Sequence, residues 1–163
     1  MRDEIGFLVA QVGVSLQKKS WQIAVAESCT GGLLGTALTA VAGSSAYFYG
    51  GVISYSNQAK VDLLGVNPVT LSKWGAVSEA IAREMAFGIR KRCGVQLGVA
   101  ITGIAGPEGG SGQKPVGLVW IALDSEEGTL VTKEQFTGDR TQIREASVLT
   151  ALSLIQNFIG GRA

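Results

Sequence analysis

The chain has 163 residues, 46% hydrophobic and only 17% charged, with 14 Lys+Arg against 13 Asp+Glu and no histidine. That length reads as one domain over residues 1–163 with a sizeable buried core, and the balanced charge provides no basic stripe for a phosphate backbone, which excludes nucleic acid as an expected partner. Without histidine, a Ser–His triad is impossible, and both the commonest zinc ligand and the usual general base are missing.

In chain order, residues 3–19 carry Ile5, Leu8, Val9, Val12 and Leu16 on one face of a predicted helix. Ile23 to Ala26 is a short apolar strand that runs into Glu27-Ser28-Cys29-Thr30-Gly31-Gly32. A second helix comes next on Leu33, Leu34, Ala37, Leu38 and Val41, then a strand over Gly50–Tyr55. Asn57 is placed as the cap of a short helix holding Lys60, Leu63 and Leu64, and Ser78 as the cap of a helix over residues 79–92. Val95–Ile101 reads as a strand, Thr102–Pro115 as a loop, and Val116–Leu123 as a strand buried on both faces in the middle of a sheet. Leu130–Phe136 pairs with it as a hairpin, and Asp139 caps a last helix. Alternating strands and helices with one late hairpin predict an α/β fold, a three-layer α/β/α sandwich on a mixed, mostly parallel sheet. The longest apolar run is too short to span a bilayer, and the start lacks the regions of a signal peptide, so no membrane partner and a cytoplasmic setting are expected. Cys29 and Cys93 lack metal-ligand spacing and read as free thiols. The high apolar fraction predicts a homodimer or larger homo-oligomer.

Four places carry candidate chemistry. The strand–Ser28-Cys29-Thr30-Gly31-Gly32–helix junction is either an anion cradle at a helix start or an ordinary helix cap after a strand. Thr102-Gly103-Ile104-Ala105-Gly106-Pro107 comes after a strand in the same way, and ligands of open α/β sheets sit beyond the carboxyl ends of strands. Five glycines between residues 103 and 112 favour a functional loop over a mere connection. Arg140, at the start of the last helix, could clamp a phosphate bidentately, but on physics alone the reading as a surface arginine in a first turn, where the dipole disfavours it, wins. The sharpest set is Ser44 and Ser45, then Tyr55, then Lys60. With histidine absent, a covalent hydrolase must use lysine, or tyrosine helped by lysine, as base. A lysine working near neutrality needs its pKa brought down from about 10.4, at a cost of about 4–5 kcal/mol that burial must mostly supply. The bland alternative leaves Ser44 as a cap, Tyr55 half-buried and Lys60 solvated.

Seven stretches together resemble the CinA C-terminal domain family, the nicotinamide-nucleotide amidohydrolases: Ala26-Glu27-Ser28-Cys29-Thr30-Gly31-Gly32, Ala42-Gly43-Ser44-Ser45-Ala46, Tyr55-Ser56-Asn57-Gln58-Ala59-Lys60, Gly75-Ala76-Val77-Ser78-Glu79, Thr102-Gly103-Ile104-Ala105-Gly106-Pro107, Lys114-Pro115-Val116-Gly117 and Gly138-Asp139-Arg140. They occur in family order across nearly the whole chain. Gln58 departs from the family, which more often has glutamate there. The resemblance implies hydrolysis of the carboxamide of nicotinamide mononucleotide to nicotinic acid mononucleotide and ammonia, in pyridine nucleotide salvage, with no metal and no cofactor. By matching position it implies Ser45 as nucleophile, Lys60 as base and Tyr55 as an assisting hydroxyl. Ser28, Thr30, Gly31, Gly32, Thr102, Gly103 and Arg140 would bind substrate, its phosphate resting against a helix N-terminus and Arg140. The larger family protein has an N-terminal nucleotide-processing domain, so this chain is expected to be the stand-alone form. The alternatives are a nucleotide-binding regulatory module without turnover and a Ser–Lys hydrolase of another amide.

Overall fold

The computed structural model describes residues 2–161; Met1, Arg162 and Ala163, which the single-domain expectation includes, lie outside them. Five strands form one mixed sheet in the order β2-β1-β3-β4-β5. They are β1 (Ile23–Glu27), β2 (Phe48–Ile53), β3 (Leu97–Gly103), β4 (Leu118–Ser125) and β5 (Gly128–Gln135). β1 runs parallel to both β2 and β3, while β4 is antiparallel to β3 and β5. The strand predicted over Val116–Leu123 is therefore interior but not central, and β4 begins two residues later than expected.

The helices are α1 (Arg2–Lys19), α2 (Leu33–Thr39), α3 (Asn57–Leu64), α4 (Pro68–Trp74), α5 (Glu79–Cys93) and α6 (Arg140–Ile159). Val9, Val12 and Leu16 of α1, Leu34 and Leu38 of α2, and Val148, Leu152 and Ile155 of α6 pack on one face of the sheet against Val25, Val99 and Ile121. On the other face, Ile81, Met85 and Ile89 of α5, with Leu64 of α3, cover Ala24, Ala26, Ala100 and Ala122. The sheet is thus buried between two apolar helix layers, which is the expected α/β/α sandwich. Small alanines on the α5 side let that helix sit close; at Gly98 of β3, a Cβ would be 2.7 Å from Arg90 Cβ and 2.9 Å from Arg90 N.

Capping decides where the helices begin. The Asp139 side chain accepts from Gln142 N, and the Gln142 side chain accepts from Asp139 N, a reciprocal capping box that starts α6. Ser78 Oγ accepts from Ile81 N at the start of α5. Ser56, not Asn57, caps α3, its Oγ accepting from Ala59 N at 3.0 Å. The sequence reading missed α4, although Asn67 accepts from Val69 N and Pro68 occupies the first turn, where its missing N–H costs nothing. No helix of the described residues is long and apolar enough to cross a membrane.

Candidate active site

Three parallel strands end on the same side of the sheet, and their carboxyl ends bring the site together. Ser28 comes directly after β1, and its N–H donates to Ile101 O of β3 at 3.0 Å. Ser54 comes directly after β2, and its N–H donates to Glu27 O at 2.8 Å. Thr102 is near the end of β3, where its Oγ1 donates to Ala76 O at 2.8 Å. α3 leads back over the sheet edge and inserts Lys60 between the first two.

Lys60 is 1% exposed. Its Nζ donates to Ser54 O at 2.7 Å, has a longer contact with Tyr55 O at 3.5 Å, and lies 2.9 Å from Ser28 Oγ. No carboxylate forms an ion pair with it among the described residues. Burial therefore pushes its pKa below the ordinary lysine value, opposed by the smaller effect of the neighbouring Cys29. In the neutral amine two N–H groups face two carbonyl oxygens, and the lone pair is left for the Ser28 hydroxyl proton. That arrangement fits a serine with a lysine base.

A cavity of about 260 Å³ opens over this pair, lined among others by Ser28, Cys29, Tyr55, Lys60, Thr102, Gly103, Gly106, Glu108 and Arg140. Arg140 bridges its walls, donating from Nη1 to Gly106 O at 2.8 Å and from Nη2 to Tyr55 Oη at 3.0 Å. Two of its five N–H groups are used in this way, and three are available to an anion. Burial pushes the Cys29 thiol up to about 11, so it stays protonated at neutral pH. A larger cavity of about 480 Å³ lies between α1 and α6, but Leu8, Gln11, Ser153, Gln156, Asn157 and Gly160 give it no titratable group. No cluster of three His, Cys, Asp or Glu suited to a metal ion occurs among the described residues.

The geometry corrects three expectations. Ser45 does not meet Lys60. It is exposed in a short 3₁₀ turn (Ser44–Ala46) before β2, and the next residue but one, Tyr47, accepts from Ile23 N at the start of β1. The six residues of β2 put Ser45 at the amino end of the sheet and Lys60 at the carboxyl end, about 20 Å apart at 3.3 Å per residue. The serine on Lys60 is Ser28. Tyr55 turns only its backbone carbonyl toward Lys60; the residue is 60% exposed and its hydroxyl accepts from Arg140. Thr30, Gly31 and Gly32 do not line the cavity. The start of α2 is already filled by the protein's own anion, because the Glu27 carboxylate accepts from Gly32 N and Leu34 N at 3.1 Å each and from Gly35 N at 2.8 Å. The anion-cradle reading of that junction is met from within the fold. Thr30 has a different task, its carbonyl accepting from Arg144 Nη2 at 2.7 Å.

Ser28, Lys60, Thr102, Gly103 and Arg140 are thus brought together, with Tyr55 at the rim. Sequence reasoning missed Glu27, Arg144 and Glu108. An acidic residue closing a fully buried strand was the available signal for Glu27, and one helical turn from Arg140 was the signal for Arg144.

Comparison with known proteins matches the family model described as CinA C-terminal domain over residues 6–159. A protein of Enterobacter agglomerans named nicotinamide-nucleotide amidohydrolase PncC is 46% identical over 154 residues, covering 93% of this chain and 94% of that one. A CinA-like protein of Rippkaea orientalis is 50% identical over 148 residues, but this chain spans only 36% of its length. The crystal structure of the competence/damage inducible protein CihA from Agrobacterium tumefaciens superposes with a TM-score of 0.91 at 44% identity, covering 93% of each chain. A CinA superfamily protein from Klebsiella pneumoniae superposes with a TM-score of 0.93 at 36% identity, covering 96% of this chain and 98% of that one.

Proposed function

The chain belongs to the CinA C-terminal domain family, and from that premise we propose that it hydrolyses the carboxamide of nicotinamide mononucleotide, with Ser28 as nucleophile and Lys60 as base. The observation that carries this reading is the 2.9 Å contact between buried Lys60 Nζ and Ser28 Oγ, with no other base on the serine among the described residues. Similarity to a nicotinamide-nucleotide amidohydrolase over nearly the full length of both chains supports the substrate.

Neutral Lys60 takes the Ser28 hydroxyl proton as Oγ attacks the amide carbon. The tetrahedral intermediate collapses, the C–N bond breaks, and the Lys60 ammonium returns its proton to the departing nitrogen, which leaves as ammonia. A nicotinoyl ester on Ser28 remains. Water then adds to the ester carbonyl with Lys60 taking its proton. The C–Oγ bond breaks, nicotinic acid mononucleotide leaves, and the proton returns to Oγ. Arg140 is the cation available to the substrate phosphate, since Glu27 occupies the start of α2. A cytoplasmic homo-oligomer is part of the same proposal; a light-scattering mass equal to one chain would reject the oligomer.

The test is ammonia release from nicotinamide mononucleotide, nicotinamide riboside and nicotinamide, each without added metal. The proposal expects kcat/KM to fall at least 100-fold when the phosphate is removed. Equal rates on all three would point to a hydrolase of other amides, and binding of the mononucleotide without ammonia release would point to a regulatory module.

A further inference from the structure

We propose that Glu27 is a positioning residue for the Ser28 nucleophile, its buried carboxylate locking the turn that carries the attacking hydroxyl. The inference rests on the Ser28–Lys60 reading above and adds a residue that reading does not use. Glu27 is 1% exposed and forms no ion pair among the described residues. A carboxylate buried without a counter-ion is costly unless its oxygens are fully hydrogen-bonded. Here three backbone N–H groups, from Gly32, Leu34 and Gly35, converge on its two oxygens. Charge-assisted bonds of this kind are about twice as strong as neutral ones.

The position of these bonds gives them consequence for Ser28. An ordinary helix cap takes its oxygen from the residue just before the helix. At α2 that residue is Gly32, which has no side chain, and the oxygen comes from five residues upstream. Glu27 thereby closes a loop whose first residue is Ser28. Gly31 and Gly32, at φ 59° and 95°, turn the chain back to reach it. Within the loop Gly31 N donates to Ser28 O at 3.1 Å, while Ser28 N is held on Ile101 O. The same residue also reaches the base: Glu27 O accepts from Ser54 N, and Ser54 O accepts from Lys60 Nζ. One residue therefore anchors the nucleophile through its side chain and the base through its backbone, and only the side-chain half can be removed by substitution.

Glu27→Gln keeps the size but replaces one acceptor oxygen with an NH₂ donor, which must face an N–H of α2. Glu27→Asp keeps the charge but falls one methylene short, and serves if the first variant does not fold. The measurements on folded variants are steady-state kinetics on nicotinamide mononucleotide, calorimetric binding of nicotinic acid mononucleotide, and the inactivation rate by a fluorophosphonate. Hydrogen exchange at Gly32, Leu34 and Gly35 reports whether the clamp is broken. The proposal expects kcat and the inactivation rate each to fall at least tenfold, with nucleotide affinity and KM within threefold of the parent. Unchanged kcat and inactivation despite lost exchange protection would overturn it. So would a loss of nucleotide affinity in step with kcat, which marks a merely structural role. A parent whose labelling survives Ser28→Ala would instead overturn the nucleophile reading itself.

Discussion

Gly103 is the residue of the site whose side-chain absence can be costed. The sequence reading assigns it to substrate contact, and it does line the cavity. In the structure its backbone conformation is one that any residue adopts, so space alone decides what a substitution does. A Cβ at Gly103 would lie 2.7 Å from Leu118 O, 2.7 Å from Val119 Cγ2 and 2.9 Å from Val119 Cα. Carbon–oxygen contacts settle at about 3.3 Å or more, so Gly103→Ala must push β4 away from the end of β3 by about 0.6 Å. Two of these three atoms are strand backbone, which cannot rotate aside. Overpacking of this kind costs about 1–3 kcal/mol, offset by about 0.5–1 kcal/mol gained when alanine replaces a strand glycine. The midpoints leave a net loss of about 1 kcal/mol, equivalent to a fall in Tm of roughly 2–4 °C for a chain of this size. The end of β3 that carries Thr102 and Gly103 lines the cavity, and it recoils as β4 is pushed away. A shift of 1 Å in a positioning element can cost about 100-fold in rate, so about 0.6 Å should lower kcat/KM by roughly tenfold. Thermal unfolding and steady-state kinetics on nicotinamide mononucleotide check both numbers. A variant as stable and as active as the parent would refute the close-approach argument.

Lys60 and Arg140 give two further outcomes. The Lys60 pKa is depressed in the folded state by burial, so between that lowered value and the ordinary 10.5 the unfolded chain binds the extra proton and stability rises with pH. Urea unfolding of the parent across the alkaline range should show this rise, turnover should increase with pH through the same lowered pKa, and Lys60→Met should flatten the stability slope and abolish turnover. Arg140→Lys replaces a fork that ties Gly106 O to Tyr55 Oη with a single point charge. It should raise KM at least tenfold with little change in Tm, measured by initial rates and thermal unfolding.

Most of the fold was legible because each element carries a strong local pattern. The buried strand Ile23–Glu27, the Ser78 and Asp139 caps and the apolar face of α1 all correspond to features of single stretches of sequence. The pairing of serine with lysine was not local. Ser45 and Lys60 are fifteen positions apart and Ser28 and Lys60 thirty-two, so closeness in sequence pointed to a serine that the fold sets apart from Lys60, with a whole strand lying between. The physical rule that ligand sites lie beyond the carboxyl ends of parallel strands separates the two, because Ser28 comes after β1 and Ser45 precedes β2. The anion cradle at Gly31-Gly32, one of two readings the sequence left open, is filled from within the fold for a related reason. A helix start attracts whichever anion reaches it, and Glu27, five residues upstream, reaches it from inside the fold. α4 went unread because its seven residues bury no side chain fully, leaving only the Asn67-Pro68 cap to mark it.

The central claim is that Ser28, not Ser45, works with Lys60. The most direct measurement is ammonia and nicotinic acid mononucleotide formation from nicotinamide mononucleotide by the parent, Ser28→Ala and Ser45→Ala, side by side with Tm recorded for each. The account predicts a fall of at least 1000-fold for Ser28→Ala and a rate within threefold of the parent for Ser45→Ala, both variants remaining folded. Full activity in Ser28→Ala, or loss of activity in a folded Ser45→Ala, would contradict it.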